Sequence, residues 1–314
     1  MTAADSSAVS APTGEQVELR HDDQRAIVVE VGAALRSYEV SDRPLLDGFG
    51  ADEIPTFARG QVLIPWPNRL RDGRYEFAGE HHQLPLSEPA RGNAIHGLLR
   101  WANWTVARRD ADGVRMEHRL HPREGYPFAL SLTIEYRLSA SGLSVTTSAT
   151  NAGDRPCPFG AGAHPYITAG TDHIDGCTLR APGARWMRTD ERMIPTGTAT
   201  VDGTDYDFRT PRAIGATKLD TGYAELERDG DGLARVTLAA PGGGAATTLW
   251  QDGGYPYLML FTGDAVEPAQ RRRRGLGVEP MTCAPNALQT GEGLRTLRPG
   301  ETATASWGLS PGGD

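Results

Sequence analysis

Between Phe128 and Leu138 every second residue is apolar: Phe128, Leu130, Leu132, Ile134, Tyr136 and Leu138. Side chains point alternately to the two faces of a strand, so this pattern buries one face only if the chain is extended; a helix would scatter it around its axis. The alternation resumes at Leu143, Val145, Thr147 and Ala149 after Ser141-Gly142, which predicts a β-hairpin turning on those two residues. Asp112-Gly113 predicts a second hairpin between Trp104-Val106 and Val114-Met116. Further strands are expected at residues 26–31, 74–78, 236–240 and 257–261, and Ala303, Ala305, Trp307 and Leu309 alternate as a closing strand. No stretch keeps a 3.6-residue period, and 38 glycines and 22 prolines interrupt nearly every window of a dozen residues. The expected fold is therefore all-β: one large antiparallel β-sandwich over residues 15–312, with its site on a concave sheet face. Residues 1–14, rich in Ala, Ser, Thr and Pro, read as a disordered tail.

Charge and cysteine content narrow the function classes. The formal charge of −8 gives no general nucleic-acid footprint. The one basic run, Arg271 to Arg274, reads as an ion-paired loop or as a grip for an anion. Cys157, Cys177 and Cys283 are too few and too scattered for a disulfide framework or a zinc site, and are expected to be idle thiols in a reducing compartment. Cys283 has no basic neighbour in sequence to activate it as a nucleophile. No apolar run is long enough for a membrane helix and no signal-peptide pattern opens the chain, so a cytoplasmic protein with neither membrane nor nucleic-acid partner is expected.

Five polar segments carry side chains suited to chemistry. Two place a titratable residue before proline, where ring sterics push the backbone toward the extended region: His164-Pro165 and Glu279-Pro280. An imidazole and a carboxylate, with unperturbed pKa values of roughly 6.5 and 4.3, make a workable acid and base. Gly160 and Gly162 precede His164 and allow close approach by a ligand or another backbone. Val266-Glu267-Pro268 repeats the tripeptide around Glu279; Glu267 leads into the arginine run and reads as exposed, whereas Glu279 follows the less polar Gly275-Leu276-Gly277-Val278. The loop Pro65-Trp66-Pro67-Asn68-Arg69 presents an amide, a guanidinium able to fork onto two oxygens, and an indole that either packs or faces a sugar. His96, in Asn93-Ala94-Ile95-His96-Gly97, reads locally as a structural histidine, and Asp220, after Leu219, as a turn former.

In this order, Pro67-Asn68-Arg69, Asn93-Ala94-Ile95-His96-Gly97, Gly160 to Tyr166, Leu219-Asp220 and Val278 to Ala287 resemble the aldose 1-epimerase (galactose mutarotase) family. The His-Pro-Tyr and Glu-Pro segments are fairly specific; Leu-Asp is weak. The resemblance implies a galactose mutarotase-like supersandwich that interconverts the α and β anomers of a free aldose without cofactor or metal, as a monomer or homodimer. It implies Glu279 as general base, His164 as general acid, and His96, Arg69, Asp220 and Asn68 as sugar-binding residues, and it favours Glu279 over Glu267. The base takes the anomeric hydroxyl proton while the acid protonates the ring oxygen, one on each side of the sugar. Nearby Asp220 and Glu279 are expected to favour the imidazolium of His164.

Three other readings remain open to the sequence. A hexose-6-phosphate epimerase would use the Arg271–Arg274 charge. A glycoside hydrolase would pair Asp220 with Glu279 at roughly 5–10 Å. A non-catalytic carbohydrate-binding protein would keep the cleft without needing an acid–base pair.

Overall fold

The computed structural model describes residues 11–312. Nine strands form one antiparallel sheet, in the order Thr105–Arg109, Gly113–Leu120, Leu130–Ser139, Gly142–Asn151, Thr302–Gly312, Ala246–Gln251, Ala234–Ala239, Thr178–Arg180 and Arg212–Ala213. A second sheet orders Pro195–Thr200, Gly183–Thr189, Asp220–Leu226, Tyr257–Phe261, Leu276–Met281, Gly162–Ala163 and Val62–Leu63, with Tyr166–Ile167 also pairing Leu276–Met281. Gln16–His21, Gln24–Val29, Leu35–Val40 and Arg43–Pro44 make a smaller sheet. Among the described residues the helical content is one α-turn, Ala287–Thr290, and two 3₁₀ turns.

The alternating segments behave as their period requires. Leu130, Leu132, Ile134, Tyr136 and Leu138 are all buried, and share one apolar cluster with Leu258, Leu260 and Val278 of the second sheet. Stacking two half-apolar sheets is the solution that removes both inner faces from water. The closing strand sits centrally, pairing with both Gly142–Asn151 and Ala246–Gln251. The Asp112-Gly113 hairpin forms, pairing Arg109 with Val114. The first hairpin turns on Ala140-Ser141, one residue earlier than expected, and Gly142 already pairs with Ser139. Gly142 can do so because it tolerates a φ of 110° and lacks the Cβ that would lie 2.2 Å from the Leu309 carbonyl oxygen.

The disordered tail expected over residues 1–14 is contradicted at its last four residues. Residues 1–10 lie outside the described residues. Ala11 to Gly14 form a turn closed by the Gly14 N–H on the Ala11 carbonyl (2.9 Å), and the Thr13 carbonyl accepts from the Val31 N–H (3.1 Å). Those bonds bury Thr13, a context its polar neighbours do not announce.

Candidate active site

The six candidate residues line one cleft of about 230 Å³, together with Phe57, Glu88, Arg91, Arg100, Tyr166 and Phe261. A larger and more open depression beside Arg74, His81 and Gln289 contains none of them.

Glu279 lies in Leu276–Met281, a strand buried at all six positions and hydrogen-bonded to neighbours on both sides. Alternation turns Val278 into the core and leaves Glu279 on the opposite face with Gly277. Gly277 makes room there: a Cβ would press on Phe261 at 3.2 Å and touch the His164 ring at 3.5 Å. His164 sits between Gly162–Ala163 and Tyr166–Ile167, its N–H donating to the Gln61 carbonyl (3.1 Å) and its carbonyl accepting from the Gly60 N–H (2.9 Å). Gly160 and Gly162 serve protein packing: Cβ atoms there would lie 2.5 Å from Cys283 Sγ and 2.9 Å from Pro67 Cβ.

His164 Nε2 is 3.3 Å from Glu279 Oε1. The two side chains are neighbours, so a sugar ring cannot sit between these atoms, contrary to the expectation of acid and base on opposite sides. The pair is deeply buried, at 5% and 2% exposure, and His164 Nδ1 and Glu279 Oε2 have no protein partner. Burial pushes Glu279 up to about 8, helped by Asp220 and opposed by Arg69. Burial also takes His164 down to about 3, assisted by Arg59 and Arg100. Burial and the surrounding guanidinium groups thus act against the imidazolium that Asp220 and Glu279 were expected to favour. Around neutral pH the pair holds one proton.

The ligand wall comes from a two-stranded ribbon, Arg69–Arg71 with Asn93–Ile95. Asn68 and His96 continue from its end, both in the left-handed region with φ of 53° and 61°. The His96 N–H donates to the Asn68 carbonyl (2.9 Å), and the Asn68 N–H donates to His96 Nδ1 (3.2 Å). With Nδ1 accepting, a neutral His96 carries its proton on Nε2. Its pKa lies well below the ordinary value, through burial and then His164, Arg100 and Arg69, so it stays neutral. Arg69 Nε donates to both oxygens of Glu88 at 3.0 and 3.2 Å, and its Nη2 approaches Asp220 Oδ2 at 3.7 Å. Asp220 opens Asp220–Leu226 opposite Phe261. Burial raises its pKa while Arg69 pulls it down.

Asn68 contributes structure as well, accepting the Arg69 N–H on its side-chain oxygen (2.9 Å). Trp66 packs into the core and does not line the cleft. Glu267 is 62% exposed and paired with Arg272, as its context implied. Arg271 contacts Asp47 and Glu53, Arg273 contacts Asp175 and Asp264, and no residue of the arginine run lines the cleft. The three cysteines are free and buried, with Cys157 and Cys283 pushed up to about 12 by desolvation. Cys283 is therefore no thiolate nucleophile near neutrality.

Sequence reasoning missed Glu88, Arg59 and Arg100. Glu88 accepts from Arg69, Arg91 and Asn93 together, but nothing in Ser87-Glu88-Pro89 distinguishes it locally. Tyr166 stood beside His164 in the sequence, and its proximity was the available signal. Donor atoms of His96, His164 and Glu279 lie within 4.8 Å of one another. Tetrahedral zinc, with bonds of about 2.0–2.1 Å, draws its donors closer than that full span. The spacing suits hydrogen bonds to oxygens lying among the three groups.

The molecule is an antiparallel β-sandwich with a buried carboxylate–imidazole pair in a guanidinium-lined cleft. The chain belongs to the aldose 1-epimerase family, whose model matches residues 15–310. It is 34% identical over 290 residues to the "Uncharacterized protein YihR" of Escherichia coli (strain K12), covering 92% of this chain and 91% of that protein. Similar solved structures include a GalM/aldose epimerase homologue from C. elegans, with TM-score 0.84, 17% identity and coverage of 95% and 99% of the two chains. A galactose 1-epimerase from Lactobacillus acidophilus NCFM gives TM-score 0.80, 21% identity and 95% coverage of both chains. No helix among the described residues is long and apolar enough to cross a membrane.

Proposed function

We propose that the protein is an aldose 1-epimerase that opens and recloses the ring of a free hexose, with Glu279 and His164 as its acid–base pair. The observation that carries this reading is the 3.3 Å contact between His164 Nε2 and Glu279 Oε1 at the base of the cleft. The two oxygens that exchange protons in mutarotation, the anomeric hydroxyl and the ring oxygen, are bonded to the same carbon. Their acid and base must therefore be neighbours, not partners facing each other across the ring.

The proton that burial leaves on Glu279 first passes to His164 Nε2 across their 3.3 Å contact; the carboxylate so formed takes the anomeric O–H proton and the imidazolium protonates the ring oxygen. The C1–ring oxygen bond breaks, C1 becomes an aldehyde, and Glu279 and His164 are left as carboxylic acid and imidazole. Rotation about C1–C2 and the reverse transfers close the ring on the other face. The pair holds one proton before and after ring opening, so no exchange with solvent is required. Burial supports that count by holding Glu279 near 8 and His164 near 3. Arg69, His96 and Asp220 supply two donors and an acceptor for the remaining hydroxyls, fixing the ring against the pair. The three free cysteines suit the reducing cytoplasm.

Polarimetry on freshly dissolved α-glucose and α-galactose tests the proposal. Glu279→Gln and His164→Asn should each slow interconversion at least ~100-fold, while Glu267→Gln stays near wild type. Near-normal rates in either of the first two would remove that residue from its role. Turnover confined to glucose 6-phosphate would reject a free hexose as substrate.

A further inference from the structure

The imidazole of His164 has an uncommon backing. Its ring stacks on Tyr166 with centroids 5.0 Å apart and planes 12° from parallel. On Tyr166 also lies the Arg59 guanidinium, 4.0 Å from the ring centroid. Arg59 is 2% exposed, and its Nε and Nη2 have no hydrogen-bond partner. Its Nη1 donates to the Asp47 carbonyl (2.8 Å) and carboxylate (2.5 Å). The Asp47 N–H in turn donates to the Tyr166 carbonyl (2.9 Å), and the Tyr166 hydroxyl donates to the Phe57 carbonyl (2.9 Å). Ring, guanidinium and aspartate thus form one linked bracket that contacts His164 through the Tyr166 ring.

We propose that Tyr166 and Arg59 are positioning residues for the acid–base pair: the phenol ring seats the imidazole, and the cation held on the same ring sets the pH range over which the pair keeps a single proton. The proposal rests on the reading of His164 and Glu279 as that pair. A guanidinium kept in apolar surroundings with two unsatisfied nitrogens is costly to retain for packing alone. Stacking on an aromatic face offsets part of that cost and holds the positive charge near the imidazole stacked on the same ring. The other charged or titratable groups facing His164 are Glu279 in contact, His96 edge-on with ring centroids 5.4 Å apart, and Arg100 and Arg69 across the cleft. Asp220 acts on Glu279, and Arg271 reaches Asp47 at 3.4 Å from behind the bracket. Arg59 is the cation that touches the ring on which His164 is stacked, so its removal has a defined direction. With a positive charge gone, every protonation of the pair becomes easier and both limbs of the pH profile move upward.

The test compares Arg59→Met, Arg59→Lys, Tyr166→Leu and Tyr166→Phe with the wild type in the full chain. Two readouts are used: the pH dependence of kcat by polarimetry, and the His164 ring signals by NMR of histidine-labelled protein, assigned with His164→Asn. Arg59→Met should shift both limbs, and the His164 titration, up by about one pH unit, the effect of one unit charge several ångströms away at an effective dielectric constant near 20. Arg59→Lys should restore the wild-type limbs. Tyr166→Leu should lower kcat about tenfold with little change in KM, and Tyr166→Phe should recover most of it. Unmoved limbs and an unmoved His164 titration in folded Arg59→Met would overturn the proposal, as would wild-type kcat in Tyr166→Leu. If Arg59→Met does not fold, the Leu and Phe variants of Tyr166 decide the question. A wild type inactive on every aldose would defeat the functional reading alone, since the NMR titration still reports on the bracket.

Discussion

Glu279→Gln should make the protein more stable in alkaline solution while disabling it. A carboxyl whose folded pKa is raised contributes stability that is full below its unfolded pKa and is lost as pH rises through the folded one. For Glu279 that window runs from the ordinary carboxyl value of about 4.5 to about 8, and the side chain is too buried for solvent to screen the effect. Each unit of separation is worth about 1.4 kcal/mol, and most of the window lies between pH 5 and pH 9. Glutamine keeps the shape and cannot ionise. The stability of the variant relative to wild type should therefore rise by about 4 kcal/mol from pH 5 to pH 9. His164 titrates in both proteins and cancels to first order. Urea denaturation followed by tryptophan fluorescence at intervals across that range measures the gap. A gap that stays constant with pH would refute the raised pKa of Glu279 on which the argument rests.

Two further outcomes follow from the same contacts. Glu88→Ala removes the carboxylate that accepts from Arg69 Nε and Nη2, leaving a buried guanidinium with only the looser Asp220 contact; kcat/KM should fall about 10- to 100-fold in polarimetry, and an unchanged value would exclude Arg69 from sugar binding. Ile134→Ala empties a fully buried site between the sheets and should cost about 2–5 kcal/mol in denaturant unfolding without altering the kcat–pH profile.

The strands were legible because their information is local. Period-two alternation specifies both extension and the inward face, and each strand expected at residues 26–31, 74–78, 236–240 and 257–261 is present within a residue or two. The hairpin turn came out one residue early because Gly142 is used for close approach to Leu309 within the ladder, a contact some 160 positions distant in sequence. Glu267 and Glu279 share a tripeptide, yet one is an exposed loop residue and the other a buried central-strand residue. The less polar approach to Glu279 leaned toward it, and the resemblance to the family settled the choice.

By itself the sequence determined the class of fold, the order of the polar segments and the set of side chains available for proton transfer. Tertiary structure alone decided that His164 and Glu279 touch, that Arg59 lies over the Tyr166 ring, and that burial is the largest influence on the pair's proton. The physical reason is range. Backbone preference and side-chain alternation act over a few residues, whereas desolvation and charge act over ångströms of space and depend on whichever chain segments meet there.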